Sequence, residues 1–153
     1  MVKQINLLTT LVISFLSIYI GLILAYLSKL EVKPALKYIR VIKNSLFSGI
    51  LGTFAYFVNP YAAFIAAPIF MLLLFFNLSN RILFPLTAFI FYYASTLTLQ
   101  SFELVATLIY LLGLTIGVIF FANNEKLNLK KMLGKLFIEY VWFLVIGIIL
   151  ILL

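Results

Sequence analysis

Residues 5–43 read INLLTTLVISFLSIYIGLILAYL followed by SKLEVKPALKYIRVIK, and the change of character after Leu27 decides the fold. The first 23 of these residues carry no charge, and the next 16 carry five cations, Lys29, Lys33, Lys37, Arg40 and Lys43. A helix needs roughly 20 apolar residues to cross the hydrocarbon of a bilayer. The run is too long for the apolar core of a signal peptide, and no small-x-small cleavage site precedes the basic stretch, so a retained membrane span is expected.

The rest of the chain repeats this alternation. Further apolar runs cover residues 39–58, 61–78, 82–99, 104–122 and 136–153. They are continuous, whereas the strands of a membrane barrel alternate polar and apolar residues, so helices are expected. The 153 residues are 66% hydrophobic and 10% charged, against about 45–50% and about 25% in a soluble domain. No soluble domain fits beside the apolar runs. The expected fold is an all-α integral membrane protein, a single polytopic domain over residues 1–153. It is a compact bundle of about six transmembrane helices in three hairpins.

Threading six spans places Lys3 alone on the side of the amino terminus. The other ten of the eleven Lys and Arg residues fall opposite: the five named above, Arg81, and Lys126, Lys130, Lys131 and Lys135. An excess of Lys and Arg in short loops marks the cytoplasmic side. Both termini are therefore expected on the non-cytoplasmic side of the cell membrane, with basic cytoplasmic loops at about 28–43 and 123–135. An alternative survives: residues 44–58 are short for a full crossing and Pro68 interrupts the third run, so four spans plus one re-entrant hairpin satisfy the same charge count.

Both basic loops have helical apolar spacing. Leu36, Ile39 and Ile42 oppose Lys33, Lys37, Arg40 and Lys43, with Pro34 suited to a first helical position. Leu129, Met132, Leu133 and Leu136 oppose Lys126, Lys130, Lys131 and Lys135. Such segments are expected either to lie in the interface or to extend the spans. Lys33, Lys37, Arg40, Lys126, Lys130 and Lys131 are the candidate contacts for anionic lipid headgroups or a partner. The two loops also resemble each other, AYLSKLEVKPAL at 25–36 against ANNEKLNLKKML at 122–133, which hints at a parallel repeat of the first and last hairpins.

Small residues form stripes on several spans: Ser14, Ser17 and Gly21; Ser45, Ser48, Gly49, Gly52 and Thr53; Gly113 and Gly117. Small residues let helix backbones approach closely in lipid, and these are the candidate helix-packing faces. Glu139 is the one acid inside a span, and an intramembrane carboxylate is a functional candidate. An i, i+4 pair with Lys135 would neutralise it, and the two form a candidate ion or proton site. Thr9, Thr10, Tyr92, Ser95, Thr96 and Gln100 share the outer depth and are the candidate lining of an outer polar cavity. The competing expectation is that these hydroxyls bond carbonyls of their own helices.

The chain has no Cys and no His, and its four acids are scattered. Metal hydrolysis and nucleophilic catalysis lack their residues, no phosphate-loop or dinucleotide motif is present, and no cofactor is expected. An enzyme is the least favoured class, a lipid-modifying one included. The expected function is that of a non-enzymatic membrane subunit or helix-binding assembly partner of a larger complex. The alternative is a small transporter or channel, alone or as a homo-oligomer, using intramembrane polar residues and Glu139. The expected partners are the bilayer with its anionic headgroups and other membrane helices, with no nucleic acid.

Overall fold

The computed structural model describes residues 4–61 and 79–153. All regular structure among the described residues is α-helical, in five helices: α1 Gln4–Leu27, α2 Lys29–Val58, α3 Asn80–Leu97, α4 Leu99–Asn123 and α5 Leu129–Leu152. Four of them, α1 (over Asn6–Leu27), α2, α4 and α5, are long and apolar enough to cross a membrane. Helix α3 has 18 residues, or about 27 Å at 1.5 Å per residue. The expected third span lies outside the described residues apart from Tyr61, and so do Pro68 and Lys3. The choice between six spans and a re-entrant hairpin therefore falls there too.

Helix α4 is the centre of the bundle, with α1, α2 and α3 packed on it, and α5 packs on α3 and α1. Each helix turns one stripe inward at helical spacing. On α1 the stripe is Leu7, Leu11, Phe15, Ile18, Leu22 and Ala25, and on α5 it is Met132, Leu136, Tyr140, Phe143, Gly147 and Ile151. The opposite face of α1, with Val12, Ile13, Leu16, Ile20, Ile23 and Leu24, is exposed and uniformly apolar. Such a face is stable only against lipid or another apolar surface.

Helices α1 and α4 approach closely, where small residues allow it. A Cβ on Gly117 would collide with the Ile18 carbonyl oxygen and lie 2.7 Å from the Leu22 nitrogen; one on Gly21 would collide with Leu114, and one on Gly113 with Ser17. The two helices run parallel, Gly21 beside Gly117 and Ser17 beside Gly113. Helix α2 packs on α4, and α5 packs on α1, so each hairpin's second helix rests on the other hairpin's first. The loops themselves differ: Ser28 alone separates α1 from α2, whereas residues 124–128 separate α4 from α5.

Of the two forms expected for the basic segments, they take the one that extends the spans, and two local details differ from expectation. Residues 29–43 and 129–135 are the first turns of α2 and α5, because their apolar stripes continue in phase with those of the spans. Val32, Met132 and Leu136 are buried, with Leu129 and Leu133 packed against the core. Pro34 accordingly sits in the second turn of α2 rather than at its start, opposite the carbonyl of the 93% exposed Leu30, where water can replace the missing N–H. The turn before α4 also comes earlier than residues 100–103. Thr98 caps α4: its Oγ1 accepts from Ser101 N–H, and its own N–H donates to Ser101 Oγ, both at 3.1 Å. This reciprocal cap satisfies two backbone donors at the α3–α4 turn.

Candidate functional site

A polar cleft of about 500 Å³ lies at the basic end of the bundle. Four helices build it. Helix α2 contributes Arg40 and Lys43; Asn80 and Arg81 open α3, with Ser79 before them; α4 supplies Ile119, Phe120 and Asn123 and its capping residue Asn124; and α5 brings Lys135, Glu139 and Tyr140.

Lys43 lies on the inward stripe of α2, in phase with Val32, Leu36, Ile39, Phe47 and Ile50, and is only 5% exposed. Its ammonium donates to Asn80 Oδ1 at 3.1 Å. Lys135 donates to Asn124 Oδ1 at 2.7 Å. Arg81 Nη2 donates to Glu139 Oε1 at 2.7 Å. Two of the four cations thus meet neutral amides, and one meets a carboxylate. The other ion pair, Lys33 with Glu125 at 3.0 Å, links the start of α2 to the α4–α5 connection.

The expected Lys135–Glu139 pair is therefore replaced. Glu139 is held by Arg81 from α3, and Lys135 reaches back to the end of α4. Neighbours on one helix compete here with groups that packing brings closer. A guanidinium already fixed at the start of α3 forms the stronger hydrogen bond to a carboxylate.

Above the cleft the core is aromatic. The Phe84 ring lies 4.5 Å from Phe143 and 6.1 Å from Tyr140, and Phe120 lies 6.2 Å from Tyr140. Buried hydroxyls bond their own helices: Ser17 to Ser14 O, Thr87 to Phe84 O and Ser95 to Tyr92 O, each at 2.6 Å.

The expected outer cavity is regrouped. Thr9 and Thr10 line a cleft of about 450 Å³ with Asn6, Leu99, Phe102, Glu103, Ala106 and Thr107, so their facing residues come from α4. Ser95 is buried, Thr96 donates to Tyr93 O at 2.8 Å, Tyr92 packs against the core, and Gln100 is exposed. Parallel packing of α1 on α4 brings Glu103 and Thr107, rather than the end of α3, to the depth of Thr9.

The remaining candidates separate. Gly113 and Gly117 face α1. Gly49 has Leu108 Cδ1 at 3.9 Å from its would-be Cβ, Ser45 is exposed and Ser48 half-buried, and Gly52 has no neighbour within 4 Å among the described residues. Lys33, Lys37, Lys126, Lys130 and Lys131 are exposed around the basic end, while Arg40 joins the cleft. Among the described residues no cluster of carboxylates could hold a metal ion.

No family model, no curated protein and no solved structure matches this chain.

Asn80, Asn123, Asn124 and Tyr140 were not singled out by sequence as members of one site. Lys43 corrects the expectation that set it opposite Leu36 and Ile39: it follows Ile39 and precedes Phe47 by one turn each, which puts it on their apolar stripe. The amides carry no readable signal, because only packing brings them to the lysines.

Proposed function

We propose that the chain is a non-enzymatic multi-pass protein of the cell membrane, a membrane subunit or helix-binding assembly partner of a larger complex. In this reading it has about six spans in three hairpins. The basic end is cytoplasmic, and Gln4 of α1 and Leu152 of α5 lie outside. The gathering of residues 29–43, Arg81 and residues 126–135 at one end of the bundle supports the orientation, since short basic loops stay cytoplasmic.

The observation that carries the reading is the filling, among the described residues, of the layer between the two clefts. Phe84, Phe91 and Phe143 are fully buried there, and the nearby hydroxyls are satisfied by their own helices. An ion or solute pathway needs polar groups left free to exchange partners. The chain offers its surfaces instead: long apolar helix faces and a basic end. Native mass measurement of the protein gently extracted from its own membrane tests this. A stable complex with a foreign subunit is expected, together with no proton or cation flux in liposomes. A chain that extracts without partners and conducts, with flux abolished by Glu139→Gln, would establish the transporter reading in its place.

A further inference from the structure

We propose that the basic cleft binds a phosphate oxyanion, either the headgroup of an anionic phospholipid or free phosphate. The inference stands whether the protein works alone or in a complex.

Charge and burial carry it. Arg40, Lys43, Arg81 and Lys135 line the cleft with one carboxylate, Glu139, which leaves three positive charges in excess. A buried cation is costly unless it is compensated, and Lys43 is only 5% exposed, with the neutral Asn80 as its hydrogen-bond partner among the described residues. The chain cannot supply the missing charge. Its four acids are Glu31, Glu103, Glu125 and Glu139. Glu125 is paired with Lys33 outside the cleft, Glu103 lines the opposite cleft, Glu31 is not in the lining, and residues 62–78 contain no acid. An anion from another molecule would supply the countercharge.

The donors suit a tetrahedral oxyanion. Asn80 and Asn124 hold the two ammonium groups in place. Arg81 binds Glu139 through one nitrogen and keeps further N–H donors, and a guanidinium fork matches phosphate. The volume, about 500 Å³, lies in the range of about 300–1,000 Å³ usual for small-molecule sites. At the basic end of a membrane bundle the most abundant oxyanion is a lipid phosphate.

The test uses the purified full chain in two arms. In the first, nanodiscs containing equal phosphatidylglycerol and phosphatidylcholine are analysed by native mass spectrometry for retained lipid. In the second, protein in pure phosphatidylcholine nanodiscs is titrated with inorganic phosphate and followed by thermal unfolding. Wild-type protein is expected to retain one phosphatidylglycerol. Lys43→Met, which keeps the packing while removing the buried charge, and Arg40→Gln at the rim are each expected to weaken retention roughly ten-fold. Lys43→Arg is expected to restore it in part, and Lys29→Gln, a lost cation outside the cleft, to leave it unchanged. A response in the second arm alone would assign the site to free phosphate. Equal retention in Lys43→Met, Arg40→Gln and Lys29→Gln, no preference for phosphatidylglycerol with no response to phosphate, or a co-purified acidic polypeptide in a phosphate-free cleft would each overturn the proposal.

Discussion

Arg81 and Glu139 lie 58 positions apart in the chain, and Arg81 Nη2 meets Glu139 Oε1 at 2.7 Å. The pair joins the first turn of α3 to the middle of α5. It is asymmetric: the arginine side chain is 63% exposed and the glutamate 12%. The carboxylate therefore depends on its partner more than the guanidinium does. Arg81→Gln should destabilise the folded protein by about 1–3 kcal/mol, because it leaves a largely buried carboxylate without its donor. Glu139→Gln should cost less, and the double variant should recover part of the loss. Thermal unfolding of the four proteins in detergent gives the coupling. Strictly additive losses would mean that the contact contributes nothing.

The α1–α4 contact tolerates no added atom at Gly117, where a Cβ would run into the Ile18 carbonyl and crowd the Gly21 backbone at 3.0 Å. Backbone cannot rotate away as a side chain does, so Gly117→Ala should cost about 2 kcal/mol or more. Gly134, on α5, has open space within 4 Å among the described residues. Gly134→Ala should be neutral or stabilising by up to about 1 kcal/mol, through helix propensity alone. Equal effects of the two substitutions in unfolding experiments would contradict the packing.

Thr98 and Ser101 form the reciprocal cap of α4, and the fully buried Ser101 hydroxyl also lies 2.9 Å from the Ala94 carbonyl at the end of α3. Thr98→Ala should cost about 1 kcal/mol, as caps usually do. Ser101→Ala should cost more, since it removes the cap's return bond and the link to α3 together. Loss of stability in the opposite order would show that Ser101 acts only through the cap.

The orientation is open to labelling, since the chain has no cysteine of its own. Lys126→Cys, in the α4–α5 connection, should react with an impermeant maleimide only from the cytoplasmic side. Asn59→Cys, just past α2, and Gln100→Cys, at the start of α4, should react only from outside. Protection of Asn59→Cys from the outer reagent, with Gln100→Cys reactive, would replace a crossing α2 by a re-entrant hairpin.

Much of the architecture is legible in the chain because it depends on one-dimensional properties. The length of the run at 5–27 and its abrupt basic end specify a membrane helix before any contact is known. The stripes of Ser17, Gly21, Gly113 and Gly117 announce close backbone approach, although not which helices meet. Helix starts are less legible. Pro34 suggested a beginning that the in-phase stripe from Val32 to Ile50 overrides, and the cap at Thr98 uses Ser where Glu or Gln would have made the box conspicuous.

By itself, then, the amino-acid sequence determined that the chain is helical, with segments long and apolar enough to cross a membrane, and where its positive charge is concentrated, since hydropathy and charge are properties of single residues summed along a segment. Only the tertiary structure decided which charges meet. It paired Glu139 with Arg81 instead of the neighbouring Lys135, turned Lys43 inward beside Asn80, and moved Thr9 and Thr10 against Glu103 and Thr107. Such pairings depend on the rotation and depth of each helix against the next, which the packing of small residues between α1 and α4 sets for the whole bundle.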